Sequence, residues 1–151
     1  MPERGDQQGD AGARATRHGA GRVLIAVYAV FALSASARAG YQLVTEWSVA
    51  PLAHLLSALA AAVYVVATVA LARATDGSRR VAWAAVGVEL VGVLGVGALS
   101  VADPAAFPEA TVWSGFGAGY GYVPLVLPVL GLAWLRRTSG STPRSTPAPH
   151  P

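Results

Sequence analysis

Cysteine is missing from this 151-residue sequence, which excludes disulfides, thiolate metal sites, iron–sulfur clusters and cysteine nucleophiles together. Lysine is missing too, so the net charge of +3 is set by arginine alone. Charged residues make up only 13% of the chain, against the roughly 25% of an ordinary soluble domain, and that balance does not suit a water-soluble globule. Paired carboxylates inside an apolar segment, a Ser, His and Asp grouping at one depth, and a phosphate-cradling G-x-G-x-x-G or Gly-Lys-Ser pattern are all lacking. These absences leave an enzymatic reading with little behind it.

What is abundant is apolar. Hydrophobic residues reach 54%, mean hydropathy is +0.47, and the apolar residues gather into long blocks rather than at amphipathic spacing. Residues 23–41, 52–72, 81–102 and 118–135 each approach the roughly 20 residues that cross a hydrocarbon core of about 30 Å. Pro51 stands just before the second block, where a helix tolerates it. The fourth block ends before Arg136 and Arg137 and begins between Gly117 and Val123. Residues 1–21 and 138–151 are Gly, Arg, Ser, Thr and Pro rich with little to bury, so both are expected to be disordered tails on a folded body of residues 22–137. The fold class is therefore all-α, a four-helix transmembrane bundle in one domain.

Orientation follows from arginine. Arg4, Arg14, Arg17 and Arg22 precede the first span, Arg73, Arg79 and Arg80 separate the second from the third, and Arg136, Arg137 and Arg144 follow the fourth. Ten of the eleven thus fall on one side, while Glu46, Asp103 and Glu109 mark the other, so the positive-inside rule places both termini in the cytoplasm of a multi-pass plasma-membrane protein. Arginines that flank apolar spans point to anionic lipid head groups as partners rather than to nucleic acid. Trp47 and Trp113 are expected at the outer boundary, Trp83 and Trp134 at the inner one. Residues 23–33 before SASARAG also fit the apolar core of a signal peptide, but the apolar run continues past Leu33 to span length. A parallel duplication of the two hairpins is suggested by Arg-Val at residues 22–23 and 80–81, a match that apolar low complexity produces freely.

The stretches RAGYQLVTEWSVAPLAHLLSALAAAVYVVATVALAR, RRVAWAAVGVELVGVLGVGALS and FPEATVWSGFGAGYGYVPLVLPVLGLAWL resemble the uncharacterised small four-span integral membrane proteins of actinobacteria. The resemblance covers residues 22–137. It implies a four-helix membrane fold in an actinobacterial plasma membrane, and no catalytic residues.

Glu89 is the most informative residue, since a carboxylate near the middle of a span costs about 2.5–3.5 kcal/mol on insertion scales and faces the bundle interior. At 1.5 Å per residue it lies about 13 Å from the arginine-rich boundary, level with Tyr64 in the second span and Tyr28 or Phe31 in the first. A phenol donating to this carboxyl is expected. Near the opposite boundary stand Arg38 and His54, with Gln42 and Glu46 one and two turns beyond Arg38 on its face, so Arg38 with Glu46 is the expected ion pair. The alternatives there are an arginine snorkelling to head groups and an outer polar pocket. His54 has no second ligand at metal spacing, and neither a metal nor any other cofactor is expected. Gly115 with Gly119, and Gly117 with Gly121, are four apart and would form a close-packing face on a helix; in a loop the same glycines would make an outer cap or a re-entrant stretch. Gly87, Gly92, Gly95 and Gly97 favour close contact along the third span. The sequence reads as a non-enzymatic accessory or interaction subunit, partnered by the bilayer and by a second copy or another membrane protein. The alternative is an oligomeric transporter or channel component that uses Glu89 as a titratable intramembrane site.

Overall fold

Each break between helices falls where the sequence supplies a cap, a proline or a left-handed residue. The computed structural model describes the backbone of residues 4–139 and the side chains of residues 18–138; the chain is all-helical, with no strand among the described residues. Four α-helices follow in order, α1 (Arg4–Thr45), α2 (Pro51–Arg73), α3 (Asp76–Ala102) and α4 (Val123–Ser139), with two 3-10 pieces, Pro104–Ala106 and Ser114–Tyr120, between α3 and α4.

Pro51 opens α2 where its missing N–H has no helical partner to lose. Ala74 closes that helix in the left-handed region at φ 50°. Thr75 and Ser78 then form a reciprocal capping box at the start of α3, with Asp76 in the first turn on the favourable end of the helix dipole. Pro104 ends α3, because the residue before a proline is driven out of the helical region, and the Asp103 side chain caps the short turn that follows.

Among the described residues three helices are long and apolar enough to cross a membrane: the His18–Thr45 part of α1, α2 and α3. A fourth crossing is reached when Ser114–Tyr120 and Val123–Thr138, bent by 100° to each other, are taken as one broken span. The straight helical part, α4, begins at Val123, at the far end of the range from Gly117 to Val123 expected for its start. Gly115, Phe116, Gly117, Gly121 and Tyr122 all have φ between 56° and 80°, and a run of left-handed residues cannot continue a right-handed helix. The backbone of α1 differs from expectation, since it is helical back to Arg4 through most of the segment expected to be disordered. Gly is the commonest residue of that segment and disfavours helix, but extending an existing helix needs no new nucleus. Residues 1–3 and 140–151, the latter most of the other expected tail, lie outside the described residues.

Packing puts small residues inside and large aliphatic ones outside. Ala32, Ala35 and Ala39 of α1 face Ala53, Ala60 and Ala67 of α2 in the buried core, so the two backbones approach closely. Leu33, Val44 and Val91 are 74%, 85% and 71% exposed, an outward apolar surface of the kind lipid covers. Neighbours run α1 to α2 to α3 to α4, but α4 meets α1 only sparsely. A lateral groove of about 650 Å³ remains there, lined by Val23, Leu24 and Val27 of α1 and Val126, Leu130 and Trp134 of α4. At the arginine-rich end, Arg79 donates to the carbonyls of Leu135 (2.7 Å) and Thr138 (3.2 Å), closing the last turn of α4, while Arg136 lies 6.0 Å over the Trp83 ring.

Candidate functional site

Three helices converge on Glu89. The carboxyl is fully buried on α3, and Tyr28 of α1, itself fully buried, donates its hydroxyl to Oε2 at 2.7 Å. Tyr64 of α2 is equally enclosed, with its ring 5.5 Å from Phe31 and 6.3 Å from Tyr28. Its hydroxyl lies within interacting distance of the same carboxyl and of the Trp113 indole N–H, yet closes a well-aligned hydrogen bond with neither. Glu89, Tyr64 and Tyr28 are therefore brought together as expected, Tyr28 as the bonded phenol and Phe31 as a packing ring. Gly131 on α4 completes the enclosure: a Cβ there would sit 3.1 Å from the Tyr28 hydroxyl and from Val86.

Trp113 was expected at the membrane boundary, and its place is a correction. It is 1% exposed and lies flat on α3 at Gly92, where an added Cβ would come 2.7 Å from the indole. The Thr111 hydroxyl accepts from the backbone N–H groups of Trp113 and Ser114 at 3.2 and 3.1 Å, and this tight turn aims the indole inward. The next contact follows the same pattern, with Phe116 set against Gly97 and the Gly115 N–H donating to Ser100 Oγ at 2.8 Å. The buried part of the segment between α3 and α4, Thr111 to Trp113 with Gly117, thus packs into the bundle away from its arginine-rich end, while Ala118, Gly119, Gly121 and Tyr122 stay exposed.

The glycine stripe expected at Gly115, Gly117, Gly119 and Gly121 does not form, because those residues are in the 3-10 coil and its cap rather than on one helix face. Gly117, at φ 80°, is the one that packs closely, with Pro124 where a Cβ would be. Close approach is instead made by Gly92 and Gly97 of α3, while Gly87 and Gly95 face open space.

Arg38 also departs from expectation. It bonds neither Glu46 nor His54; Nη1 donates to the Tyr120 hydroxyl at 2.9 Å and Nη2 to the Ala110 carbonyl at 2.8 Å. Glu46 stands two turns further along α1, about 12 Å away along the axis, whereas the coil lies beside Arg38. Arg38→Met should cost about 1–2 kcal/mol, the loss of two charge-assisted bonds at a half-buried site. Hydrogen exchange would report it as faster opening of residues 107–122 with α2 unchanged.

Sequence reasoning missed a polar row running from Glu89 toward the α1–α2 end. His54, Ser57 and Tyr64 share one buried face of α2, and Gln42, counted back from the α1–α2 turn, is level with His54. Ser57, counted from the α2–α3 turn, is level with Gly92 and hence with Trp113. Gln42 Oε1, both nitrogens of His54, Ser57 Oγ, Tyr64 Oη, Glu89 Oε1 and Trp113 Nε1 are all buried without a protein hydrogen-bond partner. A group left unsatisfied in such a place costs about 1–3 kcal/mol. The signal for the row was the spacing of three and ten residues from His54 to Ser57 and Tyr64 within an Ala, Val and Leu span. Among the described residues no three His, Asp or Glu side chains converge as a metal site would require. Compared with known proteins, the chain matches no family model, no curated protein and no solved structure.

Proposed function

We propose that the chain is a four-span plasma-membrane protein with both ends in the cytoplasm, acting as a non-enzymatic accessory or interaction subunit. The observation that carries this reading is the enclosure of Glu89: its carboxyl is fully buried and bonded by Tyr28, a tie between α1 and α3. The outward aliphatic faces supply the contact with lipid and with a second copy or another membrane protein. Affinity purification from native membrane in mild detergent should recover a stoichiometric membrane partner, and the protein alone in liposomes should carry no flux. Recovery of the chain alone, as a monomer, would remove this function.

The topology rests on the arginine distribution. Reporter fusions at the N-terminus, at Asp76 and at the C-terminus should all report cytoplasm, and insertions at Trp47 and Ala106 the outside. An external signal at Asp76 would invert the assignment.

The unpartnered polar row favours a second reading, an oligomeric transporter or channel component in which Glu89 titrates. A proton- or cation-coupled flux in liposomes, abolished by Glu89→Gln with the fold intact, would establish it in place of the first.

A further inference from the structure

The seven unpartnered polar atoms are not spread through the interior. All lie at the level of Glu89 or between it and the α1–α2 end. Toward the arginine-rich end the buried side chains are Ala67, Ala70, Leu71, Ala82, Val86 and Leu135, which offer a proton nothing to bond.

We propose that the half of the interior between Glu89 and the α1–α2 end is a hydrated site, in which a short chain of water molecules carries protons between Glu89 and the solution at that end. Its innermost groups are Glu89 Oε1, Tyr64 Oη and Trp113 Nε1, one acceptor, one hydroxyl and one donor gathered at one level of the bundle. Ser57 Oγ and the two nitrogens of His54 continue the line, and Gln42 Oε1 is level with His54 toward the α1–α2 end. A hydroxyl and an imidazole can each accept a proton on one side and release one on the other.

The groups facing Glu89 fit this use. Tyr28 on α1 and Tyr64 on α2 are its titratable neighbours, and α4 buries Leu127, Pro128 and Gly131, none of which titrates. The coil contributes Trp113 and, farther out, Tyr120, whose hydroxyl is occupied by Arg38, the charged group on that side. Tyr28 holds Oε2, which leaves Oε1 to take the proton. A proton entering past His54 passes along the line to Glu89 Oε1 and leaves by the same path. No net charge crosses the membrane, so the site serves either function proposed above, and the topology places its mouth outside.

The test is exchange of the Glu89 carboxyl proton into heavy water, followed by infrared spectroscopy on the full chain in lipid nanodiscs. Glu89 is identified by the protonated-carboxyl band that Glu89→Gln removes. Exchange should be fast in the native chain and slow about tenfold or more when His54→Leu and Ser57→Val are combined. Thermal melting would show the variant still folded. His54→Gln, which keeps a donor and an acceptor, should retain fast exchange and guards against misfolding of the apolar pair. Equal rates in the native and apolar variants would show that protons reach Glu89 by another route and overturn the proposal. So would a Glu89 band that never exchanges while the bundle is folded, or the lack of any protonated Glu89 band across the accessible pH range.

Discussion

Trp113→Ala should destabilise the bundle by about 3–5 kcal/mol, the range for deleting a fully buried large aromatic. The indole lies on the backbone of α3 at Gly92, so its loss opens a cavity that the stiff helix cannot collapse to fill. Gly92→Ala alone should cost about 1–3 kcal/mol, because the new methyl is driven into the ring. In the Trp113→Ala background the same methyl meets empty space and should cost little or even stabilise, so the two effects are strongly non-additive. Unfolding of the reconstituted protein by denaturant in mixed micelles measures all three. Additive effects would mean that the indole does not rest on Gly92.

Glu89→Ala should cost about 1–3 kcal/mol, since it strands the Tyr28 hydroxyl in an apolar interior. Glu89→Gln keeps an acceptor for Tyr28 and should cost about 1 kcal/mol or less. Tyr28→Phe supplies the control: once the phenol is gone, removing the carboxyl leaves no stranded donor on α1, and the added cost of Glu89→Ala should shrink. A glutamine variant as unstable as the alanine one would show that the tie between α1 and α3 is not what Glu89 contributes.

Both predictions concern a site that was half visible in the sequence. Glu89, Tyr64 and Tyr28 could be placed together because depth in an apolar helix is a matter of counting residues, and a lone carboxylate in hydrocarbon needs a partner. The first three spans were legible for the same reason, as length and hydropathy decide them. Counting fails where the backbone leaves the helix. Gly115 to Gly121 kept helical spacing in the sequence, but left-handed dihedrals at Gly115, Phe116, Gly117 and Gly121 dissolve the stripe that spacing implied. Arg38 was assigned to Glu46 on its own helix because its real partners, Tyr120 and the Ala110 carbonyl, are more than seventy residues away in the chain. Trp113 was assigned to the boundary on its residue type, and only the two missing side chains at Gly92 and Gly97 marked the slot that receives the coil.

The broken fourth element bears on the bilayer around the protein. At 1.5 Å per residue, the 17 residues of α4 span about 26 Å, short of a hydrocarbon core of about 30 Å, whereas the 28 residues of the apolar part of α1 span about 42 Å. The Trp113 and Phe116 coil makes up the difference on the α4 side with aromatic bulk instead of helix. The helical length these two elements would offer a bilayer thus differs by about 16 Å between one side of the bundle and the other.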